Sequence, residues 1–324
     1  MRRRLLDGGV SGLPLLAGYG ADRVAGDPRR WHPVAGFGRI AAGAERVAYA
    51  PSRARGAVVT GMLVGGAAVG AEALVRASAR LTGGRAIATA LLTWTALGGD
   101  SLKREALALA ELVERDEIGQ ARRQLRSLCG RDASGLDAAG LCRAVVESVA
   151  ENTSDAVVGA LAWGAAAGPA GVAAYRVANT LDAMFGHRNE RYAAFGWAPA
   201  RLDDLMSWPA ARLAAGLACT AAPLVGGRPE TTWSVIRRDG DAHPSPNAGR
   251  IEAAFAGALG VRLGGPLAYG SRAENRPYLG DGPRPVADDI RRAARLSDAV
   301  GCAAAVACAA LGAARGTIIG GGRQ

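Results

Sequence analysis

Lysine is almost missing from this chain. Lys103 is the only one, so the net charge of +10 is carried by arginine. No GxxxxGK[ST] stretch exists, and GGDSLK around Lys103 does not supply its spacing, which excludes a Walker-type nucleotide loop. Any bound phosphate must be held by arginines, helix N-termini or a metal. Aromatic residues are also scarce, at 5%, and the arginines are scattered among apolar segments without a run of interleaved aromatics. That pattern argues against a soluble nucleic-acid-binding protein, which would show steeply salt-dependent binding. Arginine beside anionic lipid accounts for the basic excess equally well. Cys129, Cys142, Cys219, Cys302 and Cys308 form no CxxC pair and no His-Cys metal spacing. Core thiols in a reducing compartment are expected.

Clean membrane spans are lacking too. The stretch 57–75 contains Glu72, 86–99 is short, 208–225 contains Arg212 and two prolines, and 296–314 contains Asp298. Each sits near the ~20-residue length a span requires. Ala and Gly dominate the apolar content, and small residues permit close helix packing in lipid. The expected fold is all-α: one domain over 1–324, a polytopic integral membrane helical bundle whose Gly/Pro-rich polar loops carry the site. A soluble Ala-rich bundle is the alternative. Arg2 to Arg4 followed by LLDGGVSGLPLLAGYGA look at first like a signal peptide, but Asp7, the glycines and Pro14 make its apolar region poor. A retained first helix or interfacial segment is expected.

What the chain does contain is a concentration of chemistry between Glu147 and Asp204. Glu147, Glu151 and Asp155 recur at i, i+4 and i+8, so on a helix they form one acidic stripe leading into a run without charge until Arg176. Such a stripe is often only a solvated helix face. Here amides, acids, an arginine and a histidine crowd the polar ends of an Ala/Gly-rich segment, which is costly near lipid unless they bind something. Gly168-Pro169 breaks the run, which predicts a helical hairpin. Antiparallel packing about that turn would set the stripe beside Asn179, Thr180, Asp182, His187 and Arg188.

Around this core, residues 22–55 read as a basic, turn-rich loop carrying GDPRRWHPV with Asp22, Asp27 and His32. Residues 57–99 read as a helix pair joined at Thr82-Gly83-Gly84, and 101–128 as one amphipathic helix ending near Gly130. RDASGLD, 131–137, forms a cap-rich link into the helix of Glu147. Residues 226–290 read as a Gly/Pro-rich polar region, with a helix from about Arg250 to Leu259 after HPSPNAG. His32, His187 and His243 are the only histidines, and each is a candidate base. His32 and His243 stand in His-Pro dipeptides, where a turn role is equally open. For HPSPNAG the two readings are a helix-capping loop, or Ser245, Asn247 and the following helix N-terminus binding phosphate. Asp27, Asp203 and Asp204 have alternatives as turn and cap residues.

The ordered motifs GDPRRWHPV, GRDASGLD, ESVAENTSDAVV, YRVANTLDAMFGHRNERYAAFG, ARLDD and HPSPNAGRIEAAFAGALGVRLGG resemble the cobalamin-biosynthesis CobD/CbiB family, the adenosylcobinamide-phosphate synthases, over nearly the whole chain. The resemblance implies a multi-pass cell-membrane enzyme using ATP and a divalent metal such as Mg²⁺. It would join adenosylcobyric acid to (R)-1-aminopropan-2-ol or its phosphate, through an acyl phosphate, with other corrinoid-pathway enzymes as possible associates. Such chemistry calls for a metal-phosphate clamp, cations for the transferring phosphoryl group and a base for the amine. On that footing Glu151, Asp155 and Asp182 are the metal candidates. Glu147, His187 and His32 join them as catalytic candidates. Arg131, Arg188 and Arg201 would hold phosphate, with Asn179, Asp203, Asp204, His243, Ser245 and Asn247 binding substrate and Asp27 the cofactor. Ala133, Ala183 and Ala156 stand where the family commonly has Thr, Ser and Gly, and Ser207 where it has Asn. None of these changes removes a carboxylate or an arginine. The competing expectation is a non-catalytic transporter or sensor on the same scaffold, with polar groups spread through the bundle's depth.

Overall fold

The computed structural model describes residues 12–27, 32–130, 132–187, 189–269 and 272–321. Helix dominates them, as the all-α expectation requires. In chain order the helices are α1 (Leu13–Ala25), α2 (Pro33–Ala48), α3 (Arg53–Ala77), α4 (Gly84–Ala96), α5 (Gly99–Glu114), α6 (Ile118–Gln124), α7 (Ala138–Asn152), α8 (Gly159–Phe185), α9 (Tyr192–Phe195), α10 (Trp197–Ala221), α11 (Pro229–Asp239) and α12 (Ala248–Leu259). An antiparallel hairpin of β1 (Leu263–Tyr269) and β2 (Arg272–Leu279) follows, and α13 (Ala287–Gly321) ends the described chain. The residues form two compact units, one from 1–98, 159–207 and 304–324, the other from 99–158 and 208–303.

In the first unit, the expected break at Gly168-Pro169 is present. Gly168 adopts φ 64° and ψ −149°, a region essentially reserved for glycine, and the helix reverses there. The reversal is tight: a Cβ on Gly159 would overlap the Tyr175 ring, and one on Gly171 would overlap the Trp163 carbonyl. Small residues therefore let the two arms of α8 touch backbone to side chain. Phe185, on the second arm, meets Phe195 edge-on at 5.8 Å and Tyr192 at 5.5 Å, while Tyr49 packs on Phe195 at 5.5 Å. Arg191 closes this cluster, bonding Glu45 at 2.6 Å and lying 4.3 Å over the Tyr49 ring. Residues expected in a loop at 22–55 are mostly helical. Asp22 lies buried in α1, and His32 starts α2 by accepting from the Val34 N–H at 3.2 Å. The proline at the first turn is a helix-start signal that the dipeptide's turn character hid.

In the second unit, α7 and α12 are the core, buried along nearly their whole lengths. Asp137 caps α7 through the Gly140 N–H at 2.8 Å, as RDASGLD predicts. The helix expected over 101–128 is two, because Asp116 takes φ 57° and breaks it. The region 226–290 is more ordered than its glycines and prolines suggest, holding α11, α12 and the β hairpin. That hairpin is missed in sequence because LGGPLAY lacks β-branched residues and alternation.

Among the described residues, three helical stretches are long and apolar enough to cross a membrane: Arg53–Arg80, Ala138–Phe185 and Ala287–Arg315. The stretches 86–99 and 208–225, short or interrupted in sequence, are not among them. Only 22% of the apolar window of Arg53–Arg80 is buried, against 67% for Ala138–Phe185. Val58, Met62, Val69 and Leu74 stand exposed along that helix, an arrangement that water does not favour and lipid does.

Candidate functional site

The second unit gathers carboxylates inside its core. Glu147, on α7, is 2% exposed and accepts from the Gly264 N–H at 2.8 Å, with Arg143 Nε 3.9 Å away. Glu151 follows one turn later, and Glu252 reaches the same place from α12. Burial first, then the charges of Glu151 and Glu147, hold the Glu252 carboxyl well above the usual carboxylate range, opposed by the Arg276 guanidinium. His243 Nε2 lies 3.9 Å from Glu252 Oε1. Its Nδ1 lies 3.0 Å from the Ser245 N and 3.3 Å from the Ser245 carbonyl oxygen. Glu252 was not singled out in sequence, although an acid inside the apolar run RIEAAFAGALG carries the same signal as Glu147 in AVVESVA.

The stripe of three acids is shortened by the backbone. Thr153–Val158 is a π-helical turn, so Asp155 leaves the 3.6-residue register that would stack it on Glu151. Thr153 anchors the turn, its hydroxyl bonding the Val149 carbonyl at 2.6 Å and pairing with Ser297 at 2.7 Å. The HPSPNAG loop behaves chiefly as a cap. Ser245 Oγ accepts from the Asn247 and Ala248 N–H groups at 3.3 and 3.2 Å, occupying the start of α12 that was a candidate for phosphate. Asn247 Oδ1 takes a hydrogen bond from Arg212 at 3.2 Å, and Arg212 stacks on Trp208 at 4.1 Å.

The first unit holds a second acid set, where ANTLDAMFGH on α8 meets ARLDD on α10. Asn179 Nδ2 donates to Asp203 Oδ1 at 3.3 Å, and the Ser207 hydroxyl reaches the same oxygen at 3.4 Å. Ser207 pairs in turn with the Tyr175 hydroxyl at 3.2 Å, and Arg176 donates to Asn179 Oδ1 at 3.3 Å. Burial pushes the Asp203 carboxyl up to about 7, and the Asp182 and Asp204 charges add to the rise. Asp182 folds against Gly186, where a Cβ would overlap its Oδ1. Arg201, expected to hold phosphate, is exposed and pairs with Asp204 at 3.7 Å. His187 is exposed at the end of α8, and Asp27 follows the end of α1. Arg131 and Arg188 lie outside the described residues. His32, a catalytic candidate, has its Nδ1 committed to capping α2.

No group of three or more His, Cys, Asp or Glu side chains is placed to hold a metal ion among the described residues. Glu151 and Asp155 belong to one unit and Asp182 to the other.

A sequence profile of the CobD/Cbib protein family matches residues 15–297. The chain belongs to the CobD/Cbib family. It is 51% identical over 292 residues to the cobalamin biosynthesis protein CobD of Mycobacterium tuberculosis (strain CDC 1551 / Oshkosh), covering 90% of this chain and 93% of that one. The Stutzerimonas stutzeri (strain A1501) CobD is 42% identical over 284 residues, 88% of this chain and 92% of its own. The Chromobacterium violaceum (strain ATCC 12472) protein of the same name is 41% identical over 284 residues, covering 85% and 88%. No solved structure matches the chain. Within the CobD/Cbib match lie both acid sets, from Glu147 to Glu252.

Proposed function

We propose that this protein is an ATP-dependent amide ligase of cobalamin biosynthesis, embedded in the cell membrane. It would join the free carboxylate of adenosylcobyric acid to (R)-1-aminopropan-2-ol or its O-phosphate. The carrying observation is family membership over 15–297, with relatives named for cobalamin biosynthesis across nearly their full lengths. A carboxylate does not react with an amine at neutral pH, so it needs activation, most simply as an acyl phosphate that the amine then displaces. The incoming amine is an ammonium ion at neutral pH and must lose a proton before it attacks.

The buried set of the second unit suits that proton. Burial favours the protonated form of Glu252, His243 Nε2 lies 3.9 Å from it, and Glu151 beside them is the group we assign to accept from the amine. Glu147 is positioned by Gly264 and Arg143. Mg²⁺ typically takes one or two carboxylates and fills its remaining sites with phosphate oxygens and water, which suits residues that form no three-acid cage. Asp155 in the second unit and, separately, Asp182 in the first remain candidate donors, and an ion held at either would supply charge neutralisation at the phosphoryl group. The exposed apolar face of Arg53–Arg80 supports the membrane location.

The test is ATP consumption by detergent-purified protein with Mg²⁺, adenosylcobyric acid and aminopropanol phosphate, each component omitted in turn, with the corrinoid product weighed by mass spectrometry. Corrinoid-dependent hydrolysis with a mass gain of one amino alcohol or its phosphate less one water is the expected result, and the gain names the donor. A folded preparation that turns over no amine, ethanolamine analogues included, would replace this reading with a transporter or sensor.

A further inference from the structure

One cavity of the second unit is left unused by the acid set. It has a volume of about 500 Å³, within the range of small-molecule sites, and lies between the start of α7, β1 and the segment after β2. Three arginines, Arg143, Arg262 and Arg284, share its wall with a single carboxylate, Asp137. None of the three was a phosphate candidate in sequence, because they are far apart along the chain and belong to no common motif.

Each arginine is held in place by the protein. Arg284 makes a two-pronged pair with Asp137 at 2.8 and 2.5 Å, the same carboxylate that caps α7. Arg143 donates to the carbonyls of Gly264 and Pro266, the latter at 3.0 Å, and so fixes β1 to α7. Arg262 lies 4.8 Å over the Tyr278 ring, and stacking on a ring face leaves the edge N–H groups of a guanidinium free to fork onto an oxyanion. The net positive wall also lies at the N-terminal end of α7, whose dipole favours an anion.

The cavity is joined to the acids by two residues. Gly264, whose carbonyl takes Arg143, gives its N–H to Glu147, and Arg143 Nε lies 3.9 Å from the same carboxylate. An anion in the cavity is therefore separated from the buried carboxylates by a single layer of residues.

We infer that this cavity binds a phosphate group of a substrate, gripped by Arg262 and Arg284 and linked through Arg143 to Glu147. The identity of the phosphate rests on the ligase reading, which offers two sources, ATP and the amino-alcohol phosphate. Direct binding to the full chain in detergent, without corrinoid so that no turnover occurs, separates them. ATP, aminopropanol phosphate and inorganic triphosphate are titrated against the wild type, Arg262→Gln, Arg284→Gln and the double variant, with the exposed Arg123→Gln as a control of equal charge change. Loss of one charged contact should weaken binding about 10-fold and loss of both about 100-fold, while Arg123→Gln leaves it unchanged. The ligand that weakens identifies the source. Unchanged affinity for both substrates in a folded double variant overturns the site and leaves the ligase reading standing. If the wild type binds neither substrate, the ligase reading falls. Inorganic triphosphate then decides the cavity, kept by binding that the double variant loses and removed by any other result. Should Arg284→Gln fail to fold through loss of the Asp137 pair, Arg262→Gln and Arg262→Lys carry the test, since the Arg262 side chain stacks on an exposed ring. Partial recovery by lysine is expected for a phosphate contact.

Discussion

The acids on α7 and α12 and those on α8 and α10 each have buried members, Glu147 and Glu252 in one set and Asp203 in the other, yet the two sets handle charge differently. Glu147, Glu151 and Glu252 sit inside two core helices, with Arg143 and Arg276 close enough to offset part of their repulsion. Asp203, with Asp182 and Asp204 near it, is answered by neutral groups instead, the Asn179 amide and the Ser207 hydroxyl. A cation beside a buried carboxyl favours its charged form. Amide and hydroxyl support leaves Asp203 close to neutral pH, free to gain or lose a proton or to meet a cation. The two sets therefore differ in what answers a buried charge, guanidinium groups in the first and an amide with a hydroxyl in the second.

Substitutions can break or sharpen this contrast. The largest effect is expected from Glu151→Gln, which should reduce amide formation by about 1,000-fold or more with the protein still folded in detergent. Wild-type turnover in that variant would move the proton step to the other acid set. Glu147→Ala should cost about 3–5 kcal/mol in thermal or denaturant unfolding, since it strips Arg143 and the Gly264 N–H of their buried partner. A loss below about 1 kcal/mol would show that the carbonyls of β1 suffice to hold Arg143. Gly168→Ala should cost about 1–3 kcal/mol, because φ 64° with ψ −149° strains any side chain.

Asp203→Asn tests the neutral support. The folded carboxyl, near 7, binds its proton more tightly than the unfolded one near 3.8, so this group's contribution to stability falls as pH rises between those values and is flat above. A tenfold difference in proton affinity is worth about 1.4 kcal/mol. With half of the effect relieved as the site relaxes around the charge, the asparagine variant should gain roughly 2 kcal/mol over wild type at about pH 8, and nothing at about pH 4. A gain that does not depend on pH would place the ionised form in the fold already. The smallest effect is expected from Arg201→Gln, whose exposed pair with Asp204 is worth within about 0.5 kcal/mol of stability. A loss of turnover of about 100-fold there would make this end of α10 a phosphate contact after all.

Local signals survive folding in several places. Gly168-Pro169 announces the reversal of α8 because only glycine takes that backbone angle and proline cannot continue the helix. RDASGLD announces the start of α7 because an Asp side chain satisfies a helix N–H three residues on. Acids in apolar helical runs announce the candidate site, and Glu252 belonged to that group by the same rule. Other features leave no local trace. The π turn at Thr153–Val158, which takes Asp155 out of line, is fixed by Ser297, 144 residues further along. Asp116, which splits the helix expected over 101–128, carries no glycine or proline to mark it.

Composition and motif order alone determined the helical class, the family and the absence of a Walker loop, since these depend on residue types and short spacings. Which arginines meet the acids was decided only in three dimensions. Arg143 and Arg284 are brought to the same cavity by β1 folding onto α7, and charge interactions act across space at distances that chain separation does not encode.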